Sequence, residues 1–105
     1  VNEGSFIAKV TTLSAFNNRY YTSQTGVDAS NWIRDEYKKI AGSRTDIKVE
    51  QFTHNFNQPS VIATIEGNGV NKNEVVIIGG HIDSINQGLW GDKKKARAPG
   101  ADDNA

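Results

Sequence analysis

Several residue types and patterns are missing from this 105-residue sequence, and each absence narrows its chemistry. There is no cysteine, which excludes disulfide bonds, thiolate zinc sites and catalysis by a cysteine nucleophile. Twelve basic residues balance twelve acidic ones, so no overall positive field favours nucleic acid or an anionic membrane surface. No apolar run approaches the ~20 residues that cross a bilayer. We therefore expect neither nucleic acid nor a membrane as a partner.

Hydrophobic residues are also scarce, at 36% of the chain, but they are clustered in short segments. Clustering of this kind argues against intrinsic disorder. A chain of this length can form one small domain, although it buries a smaller share of its surface than a longer chain does. The composition therefore indicates a folded chain with a small core.

Two amphipathic helices are predicted in the first part of the chain. The first covers residues 4–15, where apolar side chains recur at helical spacing and should form one buried stripe. The second covers residues 27–40, starts near Thr25 or Gly26, and has Gly42 placed to end it. The expected buried positions are Phe6, Ile7, Val10 and Leu13 in the first helix, and Ala29, Trp32, Ile33, Tyr37 and Ile40 in the second.

Three strands and a long loop are predicted after the helices. Residues 47–52 and 60–66 have a β-branched bias and a short link between them, which indicates a hairpin. Residues 75–78 are apolar on both faces, as in a central strand covered by helices. Residues 82–105 show no further element, and we expect a mobile loop. The pattern predicts an α/β fold, a mixed β-sheet flanked by helices, which is incomplete because a central strand needs further neighbours.

The most informative segment is residues 79–84, with the sequence Gly-Gly-His-Ile-Asp-Ser. His81 and Asp83 directly follow the predicted central strand, and open α/β sheets bind ligands beyond the carboxyl ends of their strands. A neutral imidazole such as that of His81 is a common metal ligand. Asp83 is placed to accept a hydrogen bond from the other ring nitrogen, which would fix the tautomer.

A second polar segment covers residues 98–105, with the sequence Ala-Pro-Gly-Ala-Asp-Asp-Asn-Ala. Its Pro-Gly turn presents Asp102 and Asp103 in the loop. Carboxylates suit zinc when they are combined with imidazole, and one carboxylate can bridge two metal ions. Alone, His81 and Asp83 are equally compatible with an ordinary hydrogen-bonded pair at a strand end. Together with the second segment they predict a metal site.

These two segments resemble peptidase family M28, in particular its bacterial leucine aminopeptidase branch. Residues 18–21 (Asn-Arg-Tyr-Tyr) and 29–33 (Ala-Ser-Asn-Trp-Ile) are also similar, so the resemblance covers nearly the whole chain. It implies the zinc-dependent exopeptidase fold, with residues 1–105 as the N-terminal portion of a single zinc peptidase domain. It further implies a secreted two-zinc aminopeptidase that releases N-terminal, hydrophobic residues from peptides. Its partners would be the peptide substrate and the remaining part of the same peptidase, in this or a second chain.

The resemblance also implies roles for individual residues. His81 matches a zinc ligand, Asp83 matches the catalytic-site aspartate that orients it, and Asp103 matches the carboxylate that bridges both zinc ions. Asp102 has no ligand role, and the peptide bond between Asp103 and Asn104 is expected to be cis. The family pattern also needs a consecutive Glu-Glu pair, a later Asp and a later His, which these residues do not supply. We therefore expect only part of the site in this chain.

Other interpretations stay open at this point. A carboxypeptidase or a glutaminyl cyclase of the same superfamily would share these residues and differ in the ligands that follow. A non-catalytic metal-binding relative would keep the fold but lack the glutamate base. Trp90 is expected to pack within the loop rather than contact substrate. We assign no chemistry to residues 17–19, beyond securing the connection after the first helix.

Overall fold

The computed structural model describes residues 2–88 and 90–105 and contains two helices followed by a β-hairpin. The elements are α1 (Glu3–Ala15), α2 (Gln24–Ala41), β1 (Ile47–Phe52) and β2 (Ser60–Ile65). The two strands are antiparallel, with Ile47 opposite Ile65 and Phe52 opposite Ser60. Both helices and the hairpin are thus confirmed. The observed sheet is smaller than the predicted one, and it is antiparallel rather than mixed.

Side-chain caps determine where the two helices begin. The Asn2 side chain accepts a hydrogen bond from the N–H of Ser5 at the start of α1. The Ser23 hydroxyl accepts one from the N–H of Gly26 at the start of α2. Each cap satisfies an amide that has no partner within its helix. Ser23 therefore starts α2 at Gln24, ahead of the predicted start at Val27.

The first turn of α2 lies directly against the connection between the helices. A Cβ atom at Gly26 would lie 2.2 Å from the carbonyl oxygen of Tyr20, so no larger residue fits there. The buried amide of Gln58 donates to the carbonyl oxygens of Arg19 and Gly26, at 3.1 and 3.0 Å. Gln58 lies between the strands, and it thereby joins the hairpin to the connection.

The apolar faces of both helices are less buried than the sequence predicts. Leu13 and Ala29 are buried, but Phe6 and Ile40 remain 58% and 64% exposed. These large side chains face an open cleft of about 1970 Å³. The cleft is also lined by β2 and residues 75–78. It is larger than the ~300–1,000 Å³ of ordinary ligand pockets and is lined by core-type residues, so it has the character of an uncovered core face.

The predicted third strand is not part of the sheet. Residues 75–78 are outside the hairpin, and their side chains are between 82% and 95% exposed. A strand is held by backbone hydrogen bonds to a neighbour, and the described part of the chain provides none for this segment. The prediction of a strand here was wrong for these residues by themselves. No helix within residues 2–88 and 90–105 is long and apolar enough to span a membrane.

Candidate metal site

The structure brings the three predicted site residues into contact. Nδ1 of His81 lies 3.3 Å from Oδ1 of Asp83, and Nε2 of His81 lies 3.0 Å from Oδ1 of Asp103. All three side chains are partly exposed. The imidazole therefore lies between two carboxylates that come from the two segments singled out in the sequence.

The contacts at Nδ1 define which ring nitrogen of His81 carries the hydrogen in the neutral form. Nδ1 lies 3.0 Å from the backbone carbonyl oxygen of Asp83, closer than the carboxylate of the same residue. Both oxygens can only accept, so Nδ1 donates. The lone pair is then on Nε2. The prediction named the Asp83 carboxylate as the acceptor, whereas the hydrogen bond goes to its carbonyl group, with the same tautomer as the result.

When the His81 ring is neutral, Nε2 of His81 and Oδ1 of Asp103 are two hydrogen-bond acceptors that face each other at 3.0 Å. This contact is favourable only with a proton or a metal ion between the two atoms. The hydrogen bond to the Asp83 carbonyl raises the pKa of His81, and the Asp103 and Asp83 carboxylates raise it as well, against a lowering by desolvation. The protonated ring satisfies this geometry by donating from Nε2 to Asp103. An imidazole nitrogen and a carboxylate oxygen are also common ligands of zinc in proteins.

These residues fit zinc in chemical type but not in number. Catalytic zinc sites use about three protein ligands and structural sites four. The described residues contain no group of three or more His, Cys, Asp or Glu side chains placed to hold a metal ion. His81 and Asp103 therefore suit part of a larger ligand set.

The expected cis peptide is not found. Every described peptide bond is trans, including the one between Asp103 and Asn104. Asn104 has a left-handed backbone conformation with φ of 59°, which asparagine tolerates better than most residues. A cis bond outside proline costs ~3 kcal/mol or more and needs surrounding contacts to hold it. The Asp103 side chain is 62% exposed, so its surroundings are too open to impose one.

Sequence analysis missed the residue that joins the two site segments. The side chain of Arg19 is fully buried and donates hydrogen bonds to backbone carbonyl groups on both sides of the site. The acceptors are Ile82 at 2.8 Å, Pro99 at 2.6 Å, Gly100 at 3.2 Å and Asp103 at 3.4 Å, together with Leu13 of α1 at 3.1 Å. Burial lowers the pKa of Arg19, while Asp103 and Asp83 raise it. Arginine remains charged in proteins despite such shifts.

The hydroxyl of Ser84 strengthens the same junction. It accepts a hydrogen bond from the backbone N–H of Arg19 at 3.0 Å and donates to the carbonyl oxygen of Ala98 at 2.6 Å. We call the Arg19 side chain together with the Ser84 hydroxyl the Arg19 clamp. It connects the His81 segment to the segment that carries Asp103.

The middle of the loop is held by the neighbouring asparagine. The amide group of Asn18 donates to the carbonyl oxygens of Lys94 and Ala96, both at 3.0 Å. The N–H of Ala98 donates to the carbonyl oxygen of Asn17 at 2.8 Å. The loop was expected to be mobile, but the structure anchors it along much of its length. Trp90 was expected to pack in the loop and is instead 95% exposed.

These contacts were hidden from sequence analysis because they are non-local. The carbonyl groups of the two site segments that accept from Arg19 lie 63 to 84 residues further along the chain, and no spacing rule reveals backbone acceptors at that distance. An arginine in a polar connection is normally solvated. The available signal was the similarity of residues 18–21 to the family, a match outside both candidate ligand segments.

Comparisons with known proteins identify the family. Residues 60–105, which contain His81, Asp83 and Asp103, match the family described as Peptidase family M28. Over 99% of its length the chain is 47% identical to a protein of Trichophyton verrucosum named "Probable leucine aminopeptidase". The chain belongs to peptidase family M28.

Other curated relatives extend the same similarity. An Arthroderma benhamiae protein with the same name is 47% identical over 99% of the chain, and "Leucine aminopeptidase 1" of Trichophyton equinum is 41% identical over 90%. The chain spans about a quarter of the length of these curated relatives. These curated relatives are fungal, whereas the motifs suggested the bacterial branch of the family. Motif words shared by a whole family do not separate its branches.

A solved structure supports the fold. LapB from Legionella pneumophila aligns with 99% of this chain and 26% of its own chain, with a TM-score of 0.77 and 26% sequence identity. The two helices and the hairpin of this M28 chain therefore occur in the same arrangement within a longer protein.

Proposed function

We propose that the protein containing these residues is a zinc-dependent aminopeptidase that releases N-terminal, mainly hydrophobic residues from peptides. The observation that carries the proposal is the 3.0 Å contact between His81 Nε2 and Asp103 Oδ1 in a segment of peptidase family M28. The names of the fungal relatives support the aminopeptidase class and the preference for leucine.

In this proposal each site residue has a separate role. His81 would hold zinc through Nε2, and Asp83 leaves that nitrogen free by accepting from Nδ1 through its backbone carbonyl group. Asp103 would supply a carboxylate, a ligand type that can serve two zinc ions. Zinc, when bound, polarises the scissile carbonyl group and lowers the pKa of a bound water molecule. The half-exposed position of His81 leaves the site open to a peptide.

We further propose that these residues form the N-terminal portion of a single zinc peptidase domain. His81 and Asp103 are too few for the site, so the general base and the other ligands belong to the remaining part of the domain. The uncovered apolar cleft supports this view, because residues 75–78 and the helices need a covering partner. A secreted location, implied by the resemblance, belongs to the same proposal.

The test uses the full-length protein and two matched substrates. Leucine p-nitroanilide should be hydrolysed, whereas its N-acetylated form should not, because an aminopeptidase needs the free α-amino group. A chelator should abolish turnover and added zinc should restore it. The variant His81→Ala should lose both zinc and activity.

Other outcomes of this test would identify the alternatives. Cleavage at the carboxyl end of an N-terminally blocked peptide indicates a carboxypeptidase, and cyclisation of N-terminal glutamine indicates a glutaminyl cyclase. Zinc binding without turnover on any of these substrates indicates a non-catalytic relative. Turnover that survives complete zinc removal contradicts the proposal.

A further inference from the structure

The Arg19 clamp connects the two segments that carry the candidate ligands. We propose that Arg19, with Ser84, is a positioning residue that sets the separation of His81 and Asp103 and thereby the zinc affinity of the site. This inference rests on the proposed function. It adds a residue, Arg19, whose side chain donates to the backbone around the site rather than to the side chains of His81 and Asp103.

The hydrogen bonds of the guanidinium group give the geometric argument. Its Nε donates to the carbonyl oxygen of Ile82, the residue after His81, while its two terminal nitrogens donate to Pro99, Gly100 and Asp103. A guanidinium group is planar and rigid. Its bonds therefore fix the backbone on one side of the site relative to the backbone on the other.

The burial of Arg19 argues against a role in stability alone. Its side chain is fully buried, and its acceptors are backbone carbonyl groups rather than a carboxylate partner. Buried charges are often no better for stability than apolar side chains of similar volume. A lysine would keep the charge but lose the planar fork. The fork is the property that joins two separate backbone segments.

Gly100 packs closely against the clamp and directly precedes the turn of residues 101–104, which carries Asp103. A Cβ atom at Gly100 would lie 2.8 Å from Nη2 of Arg19 and 2.9 Å from Cβ of Ser84. The φ of Gly100 is also positive, at 55°. The turn therefore lies against the clamp with no intervening side chain, so a displaced guanidinium group moves the turn as well.

The experiment compares Arg19→Lys with Arg97→Lys in the full-length protein. Arg97 is a matched control, because its side chain also links the loop to carbonyl groups, but these belong to Ser14 and Phe16 rather than to residues 79–84 or 98–105. Zinc affinity of the metal-free protein is measured by competition with a chromophoric chelator. We expect Arg19→Lys to bind zinc about tenfold more weakly or worse, and Arg97→Lys to stay within about twofold of the wild type.

A second comparison separates positioning from simple destabilisation. Ala29→Gly alters a fully buried position in α2 whose residue is not a hydrogen-bond partner of the Arg19 clamp, and it should lower the melting temperature without weakening zinc binding. If Ala29→Gly or Arg97→Lys weakens zinc binding as much as Arg19→Lys does, the proposal is overturned. Unchanged zinc affinity in a folded Arg19→Lys protein overturns it equally.

Two further measurements cover the remaining outcomes. If Arg19→Lys does not fold, Ser84→Ala tests the other half of the clamp, and wild-type zinc affinity in that variant contradicts the proposal. If the wild type binds no zinc, the proposed function fails. Hydrogen exchange then tests positioning without metal: the N–H of Ala98 and Asp103 should exchange faster in Arg19→Lys than in Arg97→Lys, and equal rates contradict it.

Discussion

The imidazole of His81 has one nitrogen held by Asp83 and the other facing Asp103. Mutation should therefore distinguish Asp103 from its sequence neighbour Asp102. Asp103 is 3.0 Å from Nε2 of His81, while Asp102 precedes it in a turn. If Asp103 is the bridging carboxylate, as proposed, its loss should affect both zinc ions.

We expect Asp103→Asn to lower kcat/KM by about a hundredfold or more and to reduce the zinc content of the full-length protein. Asp102→Asn should change both quantities by less than about threefold, as is usual for a surface substitution. Steady-state kinetics and metal analysis of both variants provide the test. An equal response of the two variants would show that Asp103 is not the bridging ligand.

Gly100 is the position where the backbone leaves least room for change. Gly100→Ala should destabilise the protein by about 2–4 kcal/mol, because a left-handed alanine is strained and its Cβ would overlap the clamp. Gly69→Ala is the matched control, since a Cβ there meets nothing within 4 Å. Denaturant unfolding of both variants measures the difference. A fully stable Gly100→Ala protein would mean that the turn does not lie against Arg19.

At the residue scale, prediction succeeded where chemistry was local in sequence. His81 and Asp83 are separated by one residue, and the Pro-Gly turn places Asp103 in the same loop. Their meeting could therefore be expected from two short segments. Arg19 could not be found this way, because its partners are backbone carbonyl groups far along the chain. Every residue type has a backbone carbonyl group, so the sequence does not indicate which ones accept from Arg19.

Elements were predictable to the extent that their formation depends on local interactions. The caps at Asn2 and Ser23 and the pairing of β1 with β2 involve residues close in sequence. The apolar face of α1 and the segment of residues 75–78 depend instead on what covers them. Periodicity correctly identified their apolar character, but burial requires a partner that the described residues do not provide.

The two helices are joined by an ion pair whose strength should depend on pH. Lys9 of α1 donates a hydrogen bond to Glu36 of α2, and this bond, more than any other contact, lowers the pKa of Glu36. Because the pKa is lower in the folded state, the pair contributes stability above the unfolded pKa of ~4.3 and loses it as pH falls through the folded pKa. In strong acid Glu36 is protonated, and the ion pair should no longer stabilise the folded state.

We expect Glu36→Gln to lower the melting temperature at pH 7 and to have no effect near pH 2. The double variant with Lys9→Met should show that the two changes are not additive at pH 7. Asp35→Asn is the control, since the exposed Asp35 side chain pairs with its neighbour Arg34 inside α2 rather than with α1. A pH-independent difference between Glu36→Gln and the wild type would exclude the ion pair as its cause.

At the scale of the whole molecule, the structure combines a well-organised site junction with an uncovered core. The Arg19 clamp and the Asn18 contacts hold the loop, while Phe6, Ile40 and residues 75–78 remain exposed along the cleft. Exposed apolar surface of this extent indicates a surface for further protein contacts. The alignment of this chain with about a quarter of LapB agrees with that view.

The isolated 105-residue chain should therefore have no peptidase activity and only weak zinc affinity, because in the proposed function His81 and Asp103 supply only two of the ligands that a two-zinc site needs. It should also bind a hydrophobic dye such as ANS through residues 75–78, whereas the full-length protein should not. Adding the downstream part of the protein as a separate chain should restore chelator-sensitive hydrolysis of leucine p-nitroanilide if the two parts assemble. Robust turnover by the 105 residues alone would show that the active site is not shared with the rest of the protein.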